Sequence, residues 1–426
     1  MTIVPHASTS FTSTLICARP WRTRRLRAAL AITTAGLMLL TGCTATSEAT
    51  LSAETATNEA GTASNNADLA AVDLFDSSVV HTISVDFDQA DYDAMIATFT
   101  TTGEKEWISA TVTIDGAVYE NVGLRLKGNS SLFGLSSATS DNPEDLPWLI
   151  RLNKFVQGED HQDYEEVVIR SNSTETALNE AVAQELLAIT GLAPQNPIAT
   201  AFTVNGGETE LRLAVENPDE EWYADNFEDE GGLLYKADSE GDYSYRGEDP
   251  AAYTDVFDQK VGDDDLQPLI DFLDFINNSD DAAFAAGLGE HLDIEAFATY
   301  LAFQDLIGNA DDINGRGNNS YLQYDTTTNQ FTVVSWDLNL AFDTANVGGG
   351  GGAGGAVAVA PADGGGRPAV PRAGVAGGGE AGGPGDQANV LVDRFMAEET
   401  FAALYASKTA ELNDSLFASG TVDKVI

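Results

Sequence analysis

Three side chains with hard oxygen donors stand close together in the second half of the chain: Asp311, Asn319 and Asp337, 8 and 18 residues apart. Two carboxylates and an amide suit a cation such as Mg²⁺, which takes one or two protein carboxylates and completes its shell with water and a ligand's own oxygens. Asp337 follows a strand-like run, 331–334, so its carboxylate can point from a rigid edge into a cleft. Asn319 precedes a second such run, 321–324. An equally plain reading makes Asn309, Asp311, Asp312 and Asn318 turn residues, because Asn, Asp and Gly favour turns. Residue types alone leave both readings open.

Candidate cations lie in the first half. Arg125 and Lys127 alternate on one strand face, and Arg151 and Lys154 fall in and just after the next strand-like run. Each can meet an anion or stand as a solvated strand cation. Other familiar sites fail on inspection. There is no GxxxxGK[ST] and no GxGxxG. Asp238 to Asp242 resembles a calcium loop, but Tyr243 occupies the position that needs glycine. His81, His161 and His291 have no metal-binding spacing and read as packing or surface residues.

These side chains need elements to hold them. Alternation predicts strands near 79–85, 108–114, 119–126, 148–152, 167–170, 198–204 and 211–215, with a hairpin turn at Asp115-Gly116. Helical spacing appears over 89–99, over 174–190 ending at Gly191, and over 266–276, 294–307 and 389–416. A strand-rich first half with one inserted helix thus precedes a helix-rich second half that carries a short hairpin. That order is an α+β, two-lobed plan, similar in outline to protein kinases.

The N-terminus has a different character. Arg19, Arg22, Arg24, Arg25 and Arg27 precede thirteen apolar residues, 28–40, which suit a signal-peptide core and are too few to span a bilayer stably. The run ends in Leu40-Thr41-Gly42-Cys43, a lipobox-like sequence that predicts cleavage after residue 42 and a lipid on Cys43. The expectation is an exported protein, anchored by lipid to the outer face of the cell membrane. Cys17 falls in the leader, so the mature chain has no second cysteine for a disulfide. Residues 43–75 are mostly small and polar and read as a disordered tether. Residues 348–385, 17 of them glycine, read as a flexible insertion within a domain spanning 76–426. With 67 acidic against 21 basic residues, the net charge is −46. Such a surface repels nucleic acid, and repels a nucleotide unless cations intervene. A monomer is expected.

Three collinear stretches carry a resemblance to the CotH family. They are Val122 to Ser131 (VGLRLKGNSS); the segment from Val168-Ile169-Arg170-Ser171-Asn172 through Val215-Glu216-Asn217 to Leu234-Tyr235-Lys236; and Gly308 to Asp311 with Asn318 to Leu322 and Val334 to Phe342. The resemblance implies an atypical kinase fold, strand-rich N-lobe and helix-rich C-lobe, that binds ATP and Mg²⁺, with Mn²⁺ or Ca²⁺ as alternatives. By it, Asp337 and Asn319 hold the metal and Asp311 orients or deprotonates the acceptor. Arg125, Lys127, Arg151 or Lys154 meets phosphates, Glu180 or Glu185 pairs the lysine, and Glu216 marks the segment joining the lobes. Its implied partners are a nucleotide and an unidentified protein or envelope acceptor; a non-catalytic surface module for adhesion or envelope assembly is the competing expectation. Asn339 stands where the family often has a second aspartate.

Overall fold

The computed structural model describes residues 69, 71–128, 130–132, 135, 140–171, 177–229, 231–238, 242–309, 311–314, 319–342 and 389–426. The leader, Cys43, nearly all of the tether and the 348–385 insertion lie outside the described residues. Residues 62–426 belong to one compact unit.

Seven strands of the first half close into a barrel: β1 (Val80–Phe87), β2 (Ile108–Ile114), β3 (Ala117–Leu126), β4 (Trp148–Arg151), β5 (Glu166–Ile169), β6 (Pro197–Val204) and β7 (Thr209–Glu216). Their order around the barrel is β1-β2-β3-β4-β5-β7-β6, and β1 closes the ring by pairing in parallel with β6. The Asp115-Gly116 turn has φ of 49° and 89°, the left-handed pair that a two-residue hairpin turn requires. Alternate residues fill the interior. On β3 these are Val122, Leu124 and Leu126, all fully buried, so Gly123 and Arg125 project outward and the alternation carries on to Lys127. Helix α1 (Gln89–Thr102) is capped by Asp88, whose carboxylate accepts the Ala90 N–H. Leu74 and Phe75, which the sequence reading assigned to the tether, are buried in the barrel core. Their apolar side chains outweigh the polar texture around them, and Phe75 meets the Tyr164 ring edge-on at 4.7 Å.

A second sheet has the order β11-β10-β8-β9, built from β8 (Leu233–Ala237), β9 (Phe257–Val261), β10 (Ser320–Asp325) and β11 (Gln330–Ser335). Period-two alternation gives it two apolar faces. Leu234, Val261, Tyr321 and Val334 pack against Leu149 and Val168, the outward residues of barrel strands β4 and β5. Leu233, Tyr235, Leu322, Phe331 and Val333 face helices α4 (Gln267–Asn278), α5 (Asp281–His291), α6 (Ile294–Ile307), α7 (Val390–Ala397) and the start of α8 (Glu399–Leu412). The order is therefore barrel, sheet, helices, a mixed α+β arrangement. Helix α2 (Asn179–Thr190), inserted between β5 and β6, packs through Val182, Ala183, Leu186 and Leu187 on Ala302, Phe303 and Ile307 of α6. Helix α3 (Glu220–Asn226), α5 and β9 were not foreseen. Each is short or carries too little periodic apolar signal to stand out from a polar neighbourhood.

Gly123 is required by a close approach. A Cβ there would lie 2.4 Å from Cβ of Lys154 and 3.0 Å from Cε3 of Trp107, and the Lys154 Cβ cannot swing away without its backbone. Gly123→Ala is expected to destabilise the fold by about 1–3 kcal/mol, read as a lower urea midpoint with an unchanged slope.

Candidate functional site

A three-residue ion-pair network lies where barrel, second sheet and α2 meet. Arg170, the residue after β5, donates from Nε to Oε2 of Glu180 at 2.6 Å and from Nη2 to Oε1 of the same carboxylate. Nη2 also donates to Oδ1 of Asp337 at 2.6 Å. The two-pronged bond to Glu180 uses the planar fork that only arginine has. Glu180 further accepts the backbone N–H of Leu338. Burial pushes the Glu180 carboxyl above its ordinary value and Arg170 opposes that shift. Arg170 is held well above its ordinary value: burial opposes the charged form, but Asp337 and Glu180 outweigh it. Its backbone is fixed too, since Arg212 donates from Nε to the Arg170 carbonyl at 2.9 Å.

Asp337 adopts φ 60° and ψ 61°, the left-handed region, which costs a residue with a Cβ about 1–2 kcal/mol. The turn sits where the chain leaves the sheet interface at Trp336 and enters the helical cluster at Leu338. Polar anchors hold the strand end before it. Gln195 donates to the Ser335 carbonyl at 3.1 Å, and Gln304 donates to the Ser335 hydroxyl at 3.0 Å. Gln304 in turn accepts from Asn309 at 2.9 Å. Asn309 thereby ties the loop carrying Asp311 to the same support.

Asp311 and Asn319 come together: Asn319 Nδ2 donates to the Asp311 carbonyl at 3.0 Å. The pairing of Ser320 with Ser335 places Asn319 across from Trp336, next to Asp337. Burial raises the Asp311 carboxyl above its ordinary value, the Asp337 charge adds to the rise, and an Asn319 hydrogen bond opposes it. The Trp336 ring carries two cations from the barrel half: Lys127 Nζ lies 5.0 Å and the Arg170 guanidinium carbon 5.1 Å from its centroid. Lys127 Nζ donates to Oδ1 of Asn217 at 3.0 Å, and Asn217 donates to Glu166 at 2.6 Å.

Of the residues singled out in the sequence, Asp311, Asn319, Asp337 and Lys127 therefore converge. Arg125 lies beside Lys127 on the same face of the barrel wall, 4.8 Å from the Trp107 centroid, with its buried Nε unpartnered. Lys154 lies over the same ring at 5.0 Å and is exposed. Arg151 closes β4 and pairs with Glu166 at 3.3 Å. Glu216 is buried at the end of β7, and its Oε2 accepts both the backbone and side-chain N–H of Asn196. Its Oε1 has no partner, and burial pushes the acid up to about 8. Glu180 corrects an expectation: it pairs Arg170 rather than a lysine, and Glu185 takes no part in that pair. Arg170 itself was missed as a site residue. The available signal was a single charge closing the apolar run Val167-Val168-Ile169, ten residues ahead of Glu180 on a helix. Among the described residues no cluster of three or more His, Cys, Asp or Glu is arranged to hold a metal by itself. Histidines 81 and 161 have local duties: His81 bonds Asp115 at 2.6 Å and His161 bonds the Tyr119 hydroxyl at 2.7 Å.

The site thus sets a cationic arm against an aromatic floor, beside oxygen donors on and next to a strained turn. The family model described as CotH kinase protein matches residues 124–426. The chain belongs to that family. A search of curated proteins finds no match.

Two outcomes test this geometry. Glu180→Ala strands a buried guanidinium and is expected to cost about 3 kcal/mol in urea unfolding, with Glu180→Gln, which keeps one acceptor, costing less. Glu216 binds a proton in the folded state up to about 8 against an ordinary value of 4.5, so its share of stability is fully present below about 4.5 and is lost as pH rises towards 8. Glu216→Gln is expected to flatten that decline in a series of denaturation curves from pH 5 to 8; an unchanged slope would assign the decline to other groups.

Proposed function

We propose that this chain is a two-lobed, kinase-like enzyme that binds Mg·ATP between the barrel and the second sheet and transfers the γ-phosphate to a hydroxyl of a protein or envelope acceptor. The observation that carries the reading is the convergence of Asp337, Asn319 and Asp311 with Lys127 and Arg170, on a molecule with more than three acidic residues for every basic one. Phosphoryl transfer asks the protein for positioning and charge neutralisation more than for covalent chemistry.

The donor set fits Mg²⁺. Only one or two carboxylates are within reach, as that ion accepts when phosphate oxygens complete its shell, and no all-protein cage is present among the described residues. Asp337 and Asn319 would hold the ion, which would supply neutralisation of phosphate charge. Lys127 offers its ammonium to the phosphates from the barrel side. Arg170, fixed by Glu180, restrains the Asp337 carboxylate at the turn. Asp311, its basicity raised by burial and by Asp337, takes the acceptor's proton as the acceptor oxygen bonds to the γ-phosphorus. The bond from that phosphorus to the bridging oxygen breaks, and ADP leaves with the electron pair. Lipid attachment at Cys43 and an outward-facing location belong to the same proposal and rest on the lipobox-like sequence.

Millimolar Mg·ATP is expected to raise the melting temperature of the full chain, as a ligand at 100 times its Kd stabilises the folded state by about 2.7 kcal/mol. Asp337→Asn should abolish the shift, whereas Asp311→Asn should keep it and lose transfer of labelled γ-phosphate. Absence of any shift in the wild-type chain would remove the nucleotide reading.

A further inference from the structure

His81 lies at the end of the barrel where β1 begins, and it alternates with Ile83 and Val85, which fill the barrel core. Its side chain is therefore turned inward, and it is fully buried. Both ring nitrogens face acceptors. Nδ1 lies 2.6 Å from Oδ2 of Asp115, in the turn between β2 and β3, and Nε2 lies 3.2 Å from the carbonyl oxygen of Asp76. A neutral imidazole carries one N–H and can satisfy only one of these acceptors, whereas the imidazolium donates to both. Asp115 is buried beside it and accepts the Thr82 N–H at 2.7 Å and the Thr82 hydroxyl at 3.2 Å.

Asp76 ends a short strap, residues 72–76, that leads into β1. Gln162 holds the strap by its backbone: its side-chain oxygen accepts the Leu74 N–H at 2.8 Å, and its Nε2 donates to the Val72 carbonyl at 2.8 Å. One amide thus serves the strap as a neighbouring strand would. Gln162 and Asp163 have φ of 58° and 72°, the left-handed pair of a tight turn, and the bridge between His161 and Tyr164 closes that turn.

The charges at this end of the barrel favour the imidazolium. Burial opposes the charge on His81, but the Asp115 carboxylate, the Asp76 carbonyl and the Asp76 charge outweigh it and raise the ring above its ordinary value. Burial opposes the Asp115 charge too, and His81 and Thr82 overcome it, so that carboxyl is held below its ordinary value. Asp76 is also lowered, chiefly by its hydrogen bonds with Ser78. The neighbouring His161 does not compete for the proton: burial pushes it below its ordinary value and the His81 charge adds to this, against Asp115, Asp160 and Asp73. Tyr119, which bonds His161, is raised by burial. On β6 the residue paired with His81 is the uncharged Thr200.

We propose that His81 is a pH-gated latch: its protonated ring holds the Asp76 carbonyl and docks residues 72–76 on the barrel, and loss of the proton frees that end of the strap. The neutral ring keeps its bond to the charged Asp115, the stronger acceptor, and gives up the neutral carbonyl. Because the folded value is raised, the latch is fully engaged below the ordinary histidine value of 6.5 and is lost as pH rises through the folded value.

Nitrogen NMR of the full chain labelled in histidine, together with hydrogen exchange of the strap, tests the latch. At about pH 6 both ring nitrogens of His81 are expected to carry protons. From there to about pH 9 the protection of residues 72–76 should fall relative to the barrel strands, by at most about tenfold per pH unit, as a single proton allows. His81→Gln should remove that pH dependence, and His291→Gln, on α5, should leave it intact. The wild-type ring signals decide the outcome if His81→Gln fails to fold. A neutral His81 ring at about pH 6, level strap protection in the wild type, or an equal fall in His81→Gln overturns the latch.

Discussion

Arg170 divides one guanidinium between two carboxylates that belong to different parts of the fold. It is anchored through its carbonyl to Arg212 in the barrel, through one fork to Glu180 on the inserted helix, and through the same Nη2 to Asp337 after the second sheet. Burying three charges is costly, and the arrangement holds because each is matched by an opposite charge at hydrogen-bond distance. The consequence is positional. The carboxylate of a left-handed, strained turn is held in one place by residues from elsewhere in the chain. Without that hold, the backbone at residue 337 would have a weaker reason to keep φ at 60°.

The Arg170 network also ties the helix between β5 and β6 to the turn that follows the second sheet, beside its packing on α6. Its first residue, Asn179, donates to the Ala341 carbonyl at 2.6 Å, and Glu180 takes the Leu338 N–H, so the helix start is bound to both sides of the 3₁₀ turn at 338–340. Its apolar face then meets Ala302, Phe303 and Ile307. A segment that reads as an insertion in the barrel is in packing terms a part of the helical half, and it transmits the position of α6 to the site.

Much of this was legible in the residues. The hairpins fell where alternation and Asp115-Gly116 placed them, and α6 begins and ends at the residues its spacing indicated. Asp311, Asn319 and Asp337 were singled out because hard oxygen donors at a strand end are conspicuous and because they resemble a family motif. Closure of the barrel was not legible. It depends on β1 lying parallel to β6, a pairing across more than a hundred residues that no local pattern encodes. Arg170 was passed over as a site residue for a related reason: a cation closing an apolar strand looks like any solvated strand cation until the opposing wall is known, and here that wall comes from a distant part of the sequence. Trp107 escaped notice because it lies in an irregular segment before β2 and matters only through Gly123, Arg125 and Lys154, which gather around it.

The closed ring of seven strands leaves no unpaired rim, so among the described residues the outermost strands of a sheet are β9 and β11, and β11 is partly covered by the bridge from Phe331 to Leu292. Strand β9 carries Asp258 and Lys260 bound to each other along its length. A neighbouring chain seeking to extend the sheet there would have to break or bury that pair, and alternating charges of this kind discourage such additions. A second copy of this chain brought against that edge would find a border that resists merging into a continuous sheet.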